Sequence, residues 1–350
     1  MHHHIPIIIV NWNGIEDTLA CMESVLEMPM NPPYHVHLVD NGSKDNQFKK
    51  LENKFQNEEN VTVHSNKTNL GFTRAHINVY EGILKEQEDI IWVALLNNDT
   101  LIKPNWLKEL VDTGEQHHAD MITAKMLNYF DPESIDNIGH LMLNTGEILP
   151  LGHGQHSNDR NEVLENFGSS AGSCLYRKSM IEEIGFFDLY FSTGYEDAEF
   201  GLRAIVAGYK SIYAPEAICY HKKGQSVKKI FDGNYTAMIQ TSIFYAYFKL
   251  VPWPLIIISL PFIFIKGILL FITNLLFLKP KFLGIMIKTW LIILTSWKAI
   301  MIQRKKARSR MKNRISIFKL AEKMTFFFWF DVKRFFRIYI YGEQSAWDKY

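Results

Sequence analysis

Residues 5–10 form an unbroken apolar run rich in isoleucine, the pattern of a strand buried on both faces. A helix-like segment follows over 15–26, then a second strand over 36–39 that stops at the turn signal Asp40-Asn41-Gly42-Ser43. Residues 61–64 read as a third strand, 73–85 as a helix and 90–96 as a fourth strand, and Pro104 opens another helix at a first-turn position. Alternation of this kind through the first third of the chain predicts a doubly wound, mostly parallel α/β sheet. Such sheets take ligands at the carboxyl ends of their strands. The polar clusters at 11–13, 40–43 and 97–99 fall at those ends.

The pattern then weakens. Residues 131–166 are rich in Gly, Asn and His and only faintly periodic, which predicts a long excursion suited to an acceptor loop. Order returns at 172–176, and short strands are expected at 212–215 and 218–221. Beyond 235 the character changes. Residues 250–278 hold one charge, Lys266, with Pro252, Pro254 and Pro261 near the front, and a second apolar stretch at 282–302 contains Lys288 and Lys298. A basic tail at 304–314 and an aromatic run at 326–330 follow. The expected division is a catalytic domain over 1–235 and a helical region over 236–350.

Charge sharpens this division. The net charge is +1, but residues 1–250 carry 20 basic against 33 acidic side chains and residues 251–350 carry 18 against 4. An acidic front argues against nucleic acid, and a basic, apolar back argues for an anionic membrane surface. Three cysteines, Cys21, Cys174 and Cys219, have neither disulfide nor metal-ligand spacing, as in a reducing compartment. Met1-His2-His3-His4 leads straight into the first strand, so no secretory leader is expected, and the histidine run is not read as a metal site.

The most informative segment is Tyr195-Glu196-Asp197-Ala198-Glu199, three carboxylates within four residues. Repulsion makes such a cluster costly unless a cation or a reacting proton uses it, although a helix start also favours acids. Upstream, Asn97-Asn98-Asp99 ends an apolar strand. Asp99 is the candidate ligand for a divalent cation, Mg²⁺ or Mn²⁺, shared with diphosphate oxygens, and His221 is a candidate second ligand or diphosphate contact. Asp40, at another strand end, can accept the imide N–H of uracil or thymine, or simply cap its turn. Gly71, in Asn69-Leu70-Gly71-Phe72, permits close approach of backbone to a ligand. No Gly-x-Gly-x-x-Gly and no Walker loop is present.

Taken in order, these pieces resemble glycosyltransferase family 2, of the GT-A fold, and within it the rhamnosyltransferase-like branch. The resemblance runs from residue 7 to about 226. It rests on Ile8-Ile9-Val10-Asn11-Trp12-Asn13, Val39 to Ser43, Asn69 to Phe72, Leu95 to Asp99, and Gly172 with Arg177. It continues through Gly185-Phe186-Phe187-Asp188, Tyr195 to Asp197, Arg203, Gly208-Tyr209, Pro215, and His221 with Gly224 and Ser226. It implies an inverting, metal-assisted transferase that moves a sugar from a UDP-sugar or dTDP-rhamnose to a hydroxyl of a glycan or lipid-linked acceptor. Donor-binding candidates are Val10, Asn11, Asn13, Asp40, Asn41, Asn69, Gly71, Asn97 and Asn98. Acceptor candidates are Gly172, Tyr195 and Glu199, metal candidates are Asp99 and His221, and Asp197 with Glu196 supplies the base. Arg203 is expected to pair with one of the acids. One departure stands out: Asn97 and Asn98 precede Asp99, where the family often presents two acids.

Residues 250–330 are expected to meet the cytoplasmic face of the cell membrane, either as helices in the interface or as up to two spans, or else to pack into a homo-oligomer. Lys266 and Lys288 are expected to snorkel outward there. The alternatives to a transferase are a membrane scaffold on the same fold and a sugar nucleotidyltransferase. The latter wants a Gly-rich basic loop that Asn13-Gly14-Ile15-Glu16 does not supply.

Overall fold

The computed structural model describes residues 4–222, 233–276 and 280–341. Lys223, Gly224 and Ser226 lie outside them. Contacts divide the chain into two compact units, one of residues 1–140, 150–204 and 209–223, the other of 141–149, 205–208 and 224–350. The second unit therefore borrows two short pieces from the front of the chain, which a single cut at 235 does not anticipate.

In the first unit, β1 (Ile5–Asn11), β2 (Tyr34–Asp40), β3 (Val61–Ser65) and β4 (Trp92–Leu96) pair in parallel, as their apolar runs predict. The helices between them are α1 (Ile15–Leu26), α2 (Gln47–Phe55) and α3 (Gly71–Val79). After β4 come β5 (Thr100–Ile102), α4 (Trp106–Gln116) and β6 (Met121–Asn128). The stretch 131–166 is more regular than its composition suggests. It holds β7 (Asp131–Asn137), which pairs with β6, then β8 (His140–Met142), β9 (Ile148–Pro150) and β10 (Leu164–Glu165).

β11 (Ser173–Arg177) then inserts antiparallel between β4 and β6. This insertion positions the site. A strand running the other way starts where its neighbours end, so Gly172 arrives beside Asn97. α5 (Lys178–Ile184), α6 (Glu196–Ala207) and β12 (Ser211–His221) follow. β12 is one strand with a register shift between Ala214 and Ile218, not the two strands expected. The sheet order is β10-β12-β6-β11-β4-β1-β2-β3. Its core includes Ile7, Ile9, Leu38, Ala94, Leu96, Trp106 and Leu175, all nearly or wholly buried, and the three free cysteines are buried as well.

The second unit is helical: α7 (Gly233–Leu250), α8 (Trp253–Leu276), α9 (Pro280–Arg310), α10 (Ile317–Lys323) and α11 (Phe327–Phe335). α7 packs along α9 through Phe244 on Trp290 at 4.8 Å, Phe248 against Trp297, and an Arg304 Nη1 hydrogen bond to the Phe248 carbonyl at 2.7 Å. α8 and α9 are each long and apolar enough to cross a membrane. The expectation that Lys266 snorkels outward is corrected. Its ammonium turns inward, pairs with Glu147 and reaches Asp331 Oδ2 at 2.9 Å.

Candidate active site

The ends of β1 and β2 lie side by side, with Asn11 opposite Asp40. The Asn11 amide donates to Asp40 Oδ1 at 2.8 Å and to Ser43 and Gln47, and its carbonyl oxygen accepts from Gly14 N–H and Thr18 Oγ1. Asn11 is wholly buried and Asp40 is 2% exposed, so Asn11 braces the strand ends and its amide is spent inside the protein. Asp40 Oδ2 also accepts the Ser43 N–H at 3.1 Å, the capping role admitted for it. Asn13 adopts a left-handed φ of 54°, and its side chain accepts the Lys44 N–H.

Asn41 ties this end to the next turn. Its amide donates to Asn69 Oδ1 at 2.9 Å and to the Gly71 carbonyl at 3.3 Å. Gly71 sits at φ +78°, where an added Cβ would lie 2.6 Å from the Ser192 carbonyl oxygen. The Phe72 and Thr73 N–H groups donate to Thr193 Oγ1 and the Ser192 carbonyl. Glycine is needed here so that this turn can close on the loop leading to the acidic segment.

The metal candidates meet. Asp99 Oδ1 lies 3.3 Å from His221 Nε2, and His221 Nδ1 lies 2.7 Å from Asp136 Oδ2. β12 carries His221 there by pairing it with Thr100 of β5. Burial alone would lower the imidazole's pKa, but hydrogen bonds to Asp136 and Asp99 outweigh it and push it up to about 10. An imidazolium therefore bridges the two carboxylates, and a divalent ion could take Nε2 only in place of its proton. Among the described residues no group of three or more His, Cys, Asp or Glu could hold a metal by itself. Two protein ligands completed by diphosphate oxygens are nevertheless the usual arrangement for Mg²⁺-type ions. Asp136 on Nδ1 is the outer carboxylate that orients a ligating histidine, so the residues fit such an ion. Asn98 does not point there; its amide donates to Thr18 Oγ1 at 2.8 Å. Asn97 donates its backbone N–H to the Gly172 carbonyl at 2.9 Å.

Gly172 leads to the acidic end. The preceding Ala171 N–H donates to Asp197 Oδ2 at 3.0 Å, and the Ala198 N–H donates to Oδ1 at 2.7 Å. Asp197 retains 20% side-chain exposure, with His140 Nε2 at 3.7 Å from Oδ2. The turn into α6 is tight, with Tyr195 at φ 75°, and the helix start favours acids in its first turn. His140 is buried with Nδ1 unpartnered, and burial lowers its pKa more than Asp197 raises it.

Glu199 is corrected. It is wholly buried and forked onto Arg203, with Nε–Oε1 at 3.1 Å and Nη2–Oε2 at 2.8 Å, so it has no surface to offer an acceptor. The expected pairing of Arg203 with an acid is present. Glu196 is 6% exposed with Oε2 unpartnered. Burial, reinforced by the Asp197 charge, raises its pKa from 4.5 to about 8.

This shift gives a stability prediction. Between about pH 4.5 and 8 the native state holds a proton that the unfolded chain has released, so stability falls as pH rises through that window. Glu196→Gln should remove this contribution. Paired melting curves at acidic and mildly alkaline pH should show the wild type losing more Tm than the variant, and equal losses would contradict the assignment.

Asp136 and His140 were not among the sequence candidates. Both lie in the stretch read as a weakly ordered excursion, and their partners His221 and Asp197 are distant in sequence. The imidazole-flanked carboxylates of 131–166 carry no local spacing that marks them.

A family model, Glycosyl transferase family 2, matches residues 7–185, ending before the acidic segment. N-acetylglucosaminyl-diphospho-decaprenol L-rhamnosyltransferase of Mycobacterium tuberculosis is 26% identical over 243 residues, covering 63% of this chain and 77% of that protein. O-antigen biosynthesis protein RfbC of Myxococcus xanthus is 26% identical over 142 residues, 38% of this chain, which spans 11% of that protein's length. Among solved structures, GalNAc-T7 with UDP, GalNAc and Mn²⁺ aligns with a TM-score of 0.53 at 15% identity, over 70% of this chain and 50% of that one. That likeness supports the fold.

Proposed function

Because the chain belongs to glycosyl transferase family 2, we propose that it transfers a sugar, with inversion, from a nucleoside diphosphate sugar to a hydroxyl of a glycan or lipid-linked acceptor. The observation that carries this is the convergence, at one end of the sheet, of the strand-end Asp40, the Asp99–His221 pair and the part-exposed Asp197 carboxylate. Asp197 is held from behind by two N–H groups, leaving it able to take a proton from the attacking hydroxyl. Attack on the anomeric carbon from that side expels the nucleoside diphosphate from the other. Glu196 keeps its proton over most of the neutral range, so it adds no second charge beside the base.

Asp99 and His221 would hold a divalent ion. When bound, such an ion offsets the charge developing on the departing diphosphate. Asp136 on Nδ1 would leave Nε2 as the nitrogen to meet the ion once its proton is released. Asp136→Asn should then raise the Mn²⁺ concentration for half-maximal activity by ~10–100-fold; an unchanged metal titration would remove Asp136 from the site.

The rhamnosyltransferase relative and the strand-end position of Asp40 keep dTDP-rhamnose and UDP-sugars as the donor candidates. The basic, apolar second unit is proposed to hold the enzyme at the cytoplasmic membrane face, where a lipid-linked acceptor would be presented. The defining experiment is a panel of nucleotide sugars, with and without Mn²⁺, following UDP or dTDP release by the purified full chain in detergent. Metal-dependent release from one donor is expected. Folded protein that binds no nucleotide would favour the scaffold reading instead.

A further inference from the structure

Helix α8 is built inside out. Ser259 and Asn274 are each 4% exposed and Lys266 is 13% exposed at its side chain, so these three polar groups face protein. Ile257, Phe264, Ile265, Ile268, Phe271 and Leu275 are 46–62% exposed. Their spacing of three, four and seven puts them on one face running the length of the helix, and that face carries no charge. A continuous apolar face of this length calls for an apolar partner.

The groups packed around the middle of α8 define how that partner lies. Lys266 meets Glu147 and Asp331, and Glu147 also accepts Arg334 Nη1 at 3.3 Å. Glu147 stands in the turn of the two-stranded β8–β9 sheet, and Asp331 and Arg334 belong to α11. Phe262 packs on Phe326 at 5.5 Å and on Phe327 at 5.9 Å. The short helix α10 also packs against α8 and leaves Lys319 and Glu322 exposed.

At 1.5 Å per residue, Lys266 stands about 20 Å from the start of α8 and about 15 Å from its end. A bilayer-crossing α8 would thus carry this ionic cluster, a β-turn and the exposed charges of α10 to the centre of the hydrocarbon. Irregular backbone and exposed charge are excluded there. With the helix lying flat, the same groups stay on the watery side while the apolar face enters the lipid. The basic residues Lys305, Lys306, Arg310, Lys312 and Arg314 are exposed and complement anionic headgroups.

We infer that α8 lies in the plane of an anionic membrane surface and does not cross it, an inference that rests on the membrane association proposed above. The test uses the full chain. The native thiols are buried, so single cysteines report cleanly: Lys54→Cys on exposed α2 marks the side of the first unit, and Leu276→Cys marks the far end of α8, where Leu276 is 73% exposed. An impermeant maleimide applied to either side of sealed membranes should label both from the same side. Labelling of Leu276→Cys from the opposite side would show a crossing helix and overturn the inference.

Flotation on phosphatidylglycerol–phosphatidylethanolamine vesicles provides the second readout. Wild type should float and Ile268→Glu should lose flotation while keeping its sugar-transfer rate in detergent. Ile268→Glu floating as well as wild type would overturn it. So would a wild type that fails to float and self-associates instead, a result that places a second copy on the face and leaves the transferase reading untouched.

Discussion

Asp197→Asn is expected to lower the rate of sugar transfer by about 10²–10⁴-fold, the usual contribution of a positioned general base, while nucleotide affinity stays within a few fold. The reason is geometric. Asp197 is held by the Ala171 and Ala198 N–H groups and, among the described residues, shares no hydrogen bond or ion pair with Asp99 or His221, so the substitution removes the proton acceptor without touching the diphosphate end. An amide has one oxygen for two N–H donors, so a stability loss of about 1 kcal/mol should accompany the change. Single-turnover transfer and calorimetric titration of the nucleotide, run on the same preparation, separate the two effects. If nucleotide binding collapses with the rate, Asp197 belongs to the metal site and the base is another group.

The largest structural effect is expected at Arg203. Its guanidinium makes the fork to Glu199 and also donates to the carbonyls of Ile184, Gly185 and Phe186 at 2.8, 2.5 and 2.7 Å. It thereby ties the C-terminal end of α5, which has orphan carbonyls, to the helix that carries Asp197. Arg203→Met takes the two-point guanidinium contact away from the wholly buried Glu199, and breaking a buried ion pair by removing one partner costs about 3–5 kcal/mol. Urea denaturation should show that loss. The double variant Glu199→Leu with Arg203→Met should recover part of it, because the buried carboxylate that the guanidinium held is removed as well. A single variant within 1 kcal/mol of wild type would mean that the pair adds little to the fold.

The candidate site was legible in the sequence to an uneven degree. Asn11, Asp40 and Asp99 could be found because each ends an apolar strand run, and a strand end is visible locally. Asp197 could be found because acids cluster at a helix start. The direction in which those side chains point could not be read. Asn11 and Asn98 turn inward to hold turns, and Glu199 turns inward to hold Arg203, although at the level of residue type each suits a ligand. Asp136 and His140 were hidden because their partners are far along the chain, so no short spacing records them. Lys266 misled for a related reason: one lysine in an apolar helix reads as an outward-reaching anchor until Glu147 and Asp331 are seen around it.

By itself the sequence determined the alternation of strands and helices, the line of polar clusters at the strand ends, the family resemblance from residue 7 onward, and the change from an acidic front to a basic, apolar back. These are local or summed properties, set by the periods of two and 3.6 and by composition. The tertiary structure decided the antiparallel insertion of β11, the meeting of Asp99 with His221 and Asp136, the burial of Glu199, and the inward turn of Lys266. Each depends on which segments become neighbours across the fold. That choice is made by the packing of the whole core, and no short stretch of chain contains it.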